Sequence, residues 1–134
     1  MRPVIAYIVT ALVFGGLDAV WLTSTGATLY KPVLGDLILD KPRLIPAAVF
    51  YVLYILGLVW FAILPALNAG QWSKALLNGL LFGLIAYATY DLTNQATLKV
   101  WSTRITLMDL GWGAFASAAA CTVAYFVTSA LSRR

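Results

Sequence analysis

Four apolar runs, each longer than about 18 residues, dominate this chain. A hydrocarbon core of about 30 Å takes roughly 20 residues of helix to cross, at about 1.5 Å per residue. The first run covers residues 3–24 and has Asp18 as its one charge, and the second, 44–67, has none. The third, 73–98, has Lys74 at its entrance and Asp91 inside, and the fourth, 105–132, has Asp109. Together they predict an all-α fold, an integral membrane four-helix bundle forming one domain over residues 1–134. Asp18 and Trp21 within the first run favour a retained helix over a cleaved leader.

Composition agrees. The chain is 62% hydrophobic and 10% charged, against roughly 45–50% and about 25% in soluble domains. His is absent and Cys121 is the one cysteine, which removes disulfide frameworks, Cys/His zinc sites, catalytic His and His-ligated haem. No metal and no cofactor is expected. The net charge of +4 does not point to nucleic acid, because the bases stand singly at helix ends rather than on one face. Arg2, Lys74, Arg133 and Arg134 flank one side and Lys31, Lys41, Arg43, Lys99 and Arg104 the other. A near-even split sets no orientation by the positive-inside rule and leaves open a homodimer, including an antiparallel one.

The connection "NAGQWS" after the second run is a tight turn, with Asn68 and Gly70 supplying its chemistry. The connection after the first, "TLYKPVLGDLILDKPRLIP", places Leu34, Leu37 and Ile38 at helical spacing opposite Asp36 and Asp40, between Pro32 and Pro42. It reads as a short interfacial amphipathic segment between helices 1 and 2. Helix three carries Gly79 and Gly83, and helix four carries Gly113, Ser117 and Cys121 on one face. Small residues let helix backbones approach closely in lipid, so these two helices are expected to pack together, although the glycine face would also suit a dimer contact.

The polar residues collect at one membrane face. Asp18 lies near the exit of helix one, Asp91 near the exit of helix three and Asp109 near the entrance of helix four. Tyr87, Asp91 and Asn94 follow i, i+4, i+7 on one face of helix three. Asp18 shares a face with Trp21, and Asp109 with Trp112; this Asp-x-x-Trp pattern is too short to argue for an internal repeat. Intramembrane acids are costly and ordinarily face an interior, and clustered carboxylates cannot all ionise cheaply unless cations balance them. Lys99, Arg104 and Arg43 at the same rim are the candidates for that role. An aromatic belt accounts for most of the Tyr and Trp residues at this level; Tyr54 and Tyr87 lie deepest and are assigned to a cavity wall. The candidate ligand-binding residues are therefore Asp18, Trp21, Tyr54, Tyr87, Asp91, Asn94, Asp109 and Trp112.

The strings "LDAVWL", "LYKPVLG", "FYVLYILGL", "YATYDLTNQATLKVW" and "TLMDLGWG" resemble the bacterial four-span family catalogued as domain of unknown function 2177. The resemblance covers nearly the whole chain. It implies a multi-pass protein of the bacterial inner (plasma) membrane and brings no activity with it. Its signature positions carry over to Asp18, Trp21, Tyr30, Tyr51, Asp91, Asn94, Thr97, Trp101, Asp109 and Trp112.

Three functions fit these residues. Carboxylates walled by Tyr and Trp suit a binding or transport protein for an amphipathic or cationic ligand, through charge pairing and cation–π contact, with membrane lipid as neighbour. A lipid-modifying enzyme would use Asp91 and Asp109 as general acid and base, or Mg²⁺ held by Asp18, Asp91, Asn94 and Asp109. A structural or accessory subunit would use the acids only to hold the helices in register. Aromatic groups outnumber plausible catalytic ones, which favours the first and leans away from an enzyme.

Overall fold

The computed structural model describes residues 1–35, 38 and 43–132. Four helices long and apolar enough to cross a membrane run in order: α1 (Arg2–Leu34), α2 (Leu44–Ala69), α3 (Trp72–Thr97) and α4 (Thr103–Ser132). No strand occurs among the described residues. The outside is apolar, and the interior combines an apolar core around Phe14, Leu58 and Ile63 with buried polar residues of the spans. Thr10, Asp18, Asp91, Thr106, Asp109, Ser117 and Thr128 are buried, while Leu12, Val52, Leu56, Trp60, Phe61, Leu81 and Ile85 face outward. A water-soluble bundle would reverse that pattern; a lipid-facing one requires it. Some buried hydroxyls are satisfied within their own helices, as where Thr10 donates to the Ala6 carbonyl at 2.6 Å and Thr25 to that of Trp21 at 2.6 Å; that of Thr128 has no partner among the described residues.

Helix one corrects the sequence reading. It does not end near residue 24 but continues to Leu34, so the first part of the expected interfacial segment is helix. Asp36, Leu37, Asp40 and Pro42, the rest of that segment, lie outside the described residues. The continuation runs through a widened π turn, Gly26–Tyr30, immediately before Lys31 and Pro32. α2 has the same device, a π turn over Val59–Ile63 just before Leu64 and Pro65. A proline inside a helix lacks an N–H and its ring meets the carbonyl four residues back. Widening the turn ahead of it relieves that contact and lets the helix pass through.

The turn after α2 follows the sequence expectation. Gly70 adopts a left-handed conformation (φ 67°); its N–H bonds the Leu67 carbonyl at 3.2 Å and the Gln71 N–H bonds that of Ala66 at 3.1 Å, a Schellman closure. At the opposite end Ser102 Oγ accepts the Ile105 N–H at 3.1 Å and starts α4. Gln95 donates to Thr103 Oγ1 at 2.9 Å and accepts from Thr106 Oγ1 at 2.7 Å, tying the end of α3 to the start of α4.

α4 is the most buried span and packs chiefly on α3, then on α1. Gly79 and Gly83 do face Gly113, Ser117 and Cys121. A Cβ on Gly79 would meet Cys121 Sγ at 2.9 Å, and one on Gly83 would meet Ser117 Oγ at 2.6 Å. The glycine face is therefore engaged within the chain. Cys121 is fully buried in this contact. Its thiol is expected to stay unmodified by a maleimide in the folded protein and to react fully after unfolding in dodecyl sulfate; rapid labelling of the folded protein would mean that the α3–α4 contact is open.

Candidate functional site

Successive spans run in opposite directions, so α1 and α4 are antiparallel. That gives the repeated Asp-x-x-Trp pattern a meaning its length alone did not. In an antiparallel pair the Trp of one helix comes level with the Asp of the other, and the two motifs cross. Trp112 Nε1 donates to Asp18 Oδ1 at 3.4 Å. Trp21 Nε1 donates at 3.1 Å to the Tyr30 hydroxyl, which in turn donates to Asp109 Oδ1. The two indoles stack between these bonds, ring centres 4.7 Å apart and planes within 7°. Such a stacked pair adds on the order of 1 kcal/mol beyond its burial.

Each of these two acids also takes a tyrosine. Asp18 accepts from Tyr51 of α2 through Oδ2, and Asp109 accepts from Tyr30 as above. Tyr30 belongs to the stretch of α1 beyond the widened turn, and helical side chains point back toward the helix N-terminus. This lets its hydroxyl return to Trp21, nine residues earlier. Tyr30→Phe removes the donor from a buried carboxylate. It is expected to lower stability by about 1–3 kcal/mol, read as a fall in thermal unfolding temperature in detergent; an unchanged temperature would mean the bond contributes nothing.

Asp91 differs from the other two. It is fully buried, and neither carboxyl oxygen receives a hydrogen bond. The α3–α4 register that sets Gly79 against Cys121, Gly83 against Ser117 and Tyr87 against Gly113 brings it level with Asp109, which is also buried. The rim bases do not fill the role the sequence suggested for them: Arg43, Lys99 and Arg104 are exposed, and no ion pair within 4.0 Å forms among the described residues. Asp18, Asp91 and Asp109 also do not come together as a group of three able to hold a metal ion among the described residues, which removes the Mg²⁺ arrangement the sequence left open.

Below the acids, Tyr54 is buried, its hydroxyl 2.6 Å from Ser117 Oγ and its ring against Phe14 (5.1 Å) and Phe82 (5.4 Å). Tyr87 packs its ring over Gly113 and stands edge-on to Tyr54 at 6.3 Å. These two tyrosines floor the cluster. Of the eight residues singled out from sequence, seven come together; Asn94 is half-buried one turn nearer the rim and makes no side-chain hydrogen bond among the described residues. Tyr30, Tyr51 and Ser117 were not among the eight. The first two were visible as signature positions of the resemblance, whereas nothing in the sequence marked Ser117 beyond its small size.

An open groove of about 540 Å³ runs between α1 and α2, lined by Ala11, Gly15 and Ala19 on one side and Tyr51, Val52 and Ile55 on the other. On α1 these small residues stand at four-residue spacing, between Tyr7 and Leu22 at the ends of the wall. Tyr51 belongs to both places, with its ring lining the groove and its hydroxyl bonded to Asp18.

The family model described as "Predicted membrane protein (DUF2177)" matches residues 3–126. No curated protein and no solved structure gives a significant match. The chain belongs to the DUF2177 family of membrane proteins.

Proposed function

We propose that this member of the DUF2177 family binds or transports an amphipathic cation in the membrane. The ligand's charged group is held at the level of Asp18, Asp91 and Asp109, and its apolar part lies in the groove between α1 and α2. The observation that carries this reading is Asp91, a fully buried carboxyl without a donor beside a second acid. An unpaired buried charge costs several kcal/mol, so the cluster is poised for a positive group that it lacks on its own. The groove supports the reading because it is open and shares Tyr51 with the acids, and the surrounding rings offer cation–π contact. On this reading the protein is a multi-pass component of the bacterial plasma membrane, its apolar outer face solvated by lipid.

Tetraphenylphosphonium is a suitable probe, since its charge is buried within apolar surface. Titrated into the protein in detergent, it is expected to change the fluorescence of the Trp21–Trp112 pair saturably, with one site per chain. A response no larger than that of Asp18→Asn, or one that never saturates, would contradict the reading.

A further inference from the structure

We infer that Asp91 and Asp109 hold a single proton between them when the site is empty, and that this proton departs when a cation enters. The inference starts from packing and not from composition. The α3–α4 register that pairs Tyr87 with Gly113 sets the two buried carboxyls side by side one turn further along, and Asp91 has no hydrogen-bond partner and no exposure. Two ionised carboxylates so placed in a poorly polarisable interior repel strongly. One proton converts the repulsion into an O–H···O⁻ hydrogen bond, among the stronger kinds available to a protein.

The groups around the pair leave the proton no better place. α1 presents Asp18, already accepting from Tyr51 and Trp112, and Tyr30, whose hydrogen points at Asp109. α2 presents Tyr51 and Tyr54, the latter engaged with Ser117. α3 presents Tyr87 one turn from Asp91, and α4 presents Trp112 and Thr106, whose hydroxyl donates to Gln95. The carboxyl of Asp18 already has two donors, the remaining groups are hydroxyls and an indole, and His is absent from the chain. Among the described residues the cations Lys31, Arg43, Lys99 and Arg104 form no ion pair with the acids.

The exchange conserves charge. Three acids with one proton carry two negative charges; three ionised acids with one bound monovalent cation also carry two. On entry of the cation one O–H bond breaks, its electron pair stays on the carboxyl oxygen and the proton passes to water. The shared proton stands on geometry alone, whereas the exchange rests on the binding function proposed above.

Infrared spectroscopy of the purified protein at neutral pH tests the first half without any ligand. A protonated-carboxyl stretch is expected in the wild type and in Asp18→Asn, and is expected to be lost in Asp91→Asn and separately in Asp109→Asn, where the new amide supplies the hydrogen. Absence of the band in the wild type, or its survival in both variants, would overturn the inference. The second half is read with a pH dye in weakly buffered detergent. Close to one proton should be released per bound tetraphenylphosphonium in the wild type and none in Asp91→Asn. Binding without proton release would overturn the exchange. An infrared band with no binding at all would leave the shared proton standing and remove the binding function.

Discussion

Gly83→Leu is expected to leave no monodisperse folded protein after extraction from membranes. A Cβ at position 83 already falls 2.6 Å from Ser117 Oγ and 2.8 Å from Ser117 Cβ, and it meets the backbone carbonyl of Gly113 as well. A side chain can turn away, but a helix carbonyl moves only with its helix. Overpacking of a well-fitted core costs about 1–3 kcal/mol, and a full leucine against fixed backbone belongs at or beyond the top of that range. The separation it forces would be felt at the acids, because Gly83 is two turns from Asp91 and Gly113 one turn from Asp109. Gly16→Leu is the control, since nothing lies within 4 Å of a Cβ there. Size-exclusion profiles and thermal unfolding in detergent compare the two; equal behaviour would mean that the α3–α4 contact is not a close one.

Asp91→Asn is expected to weaken binding of tetraphenylphosphonium by about tenfold to a hundredfold while leaving the fold intact. A charge-assisted interaction contributes about 1.5–3 kcal/mol, and each 1.4 kcal/mol is tenfold in affinity. The fold should survive because the amide is the same size as the carboxyl and offers Asp109 an N–H. Removing the buried carboxyl is thus expected to keep or slightly raise the unfolding temperature. If the variant instead fails to insert or unfolds readily, Asp91 serves the bundle's architecture, and the structural reading of the acids replaces the binding one.

The parts of this protein that were legible in the sequence are those that follow from counting along one helix. The four spans are legible because crossing hydrocarbon sets a minimum apolar length. The common level of Asp18, Asp91 and Asp109 follows from their distances to helix ends, and the meeting of Gly79 and Gly83 with Gly113, Ser117 and Cys121 follows from the spacing of small residues. What was hidden depends on neighbours. "TSTGATLY" has the composition of a connection, and the π turn that carries the helix through Pro32 is not visible in it. Ending the helix near residue 24 therefore hid Tyr30, the donor to Asp109. Tyr51 looked like one more aromatic at the interface because the sequence does not say which side of α2 faces α1. Asn94 shares a face with Asp91 by spacing, yet it falls near the end of α3, outside the hydrogen-bond network of the acids. The crossing of the two Asp-x-x-Trp motifs needed the antiparallel pairing of α1 with α4, and no single-helix periodicity contains that.

Native mass spectrometry of the protein released directly from membranes, compared with Asp91→Asn, tests the central claim most directly. The account predicts a bound cationic or amphipathic small molecule retained by the wild type and lost from the variant, with both proteins otherwise of the same mass state. Identical spectra, with no species retained by either, would contradict a ligand site at these acids.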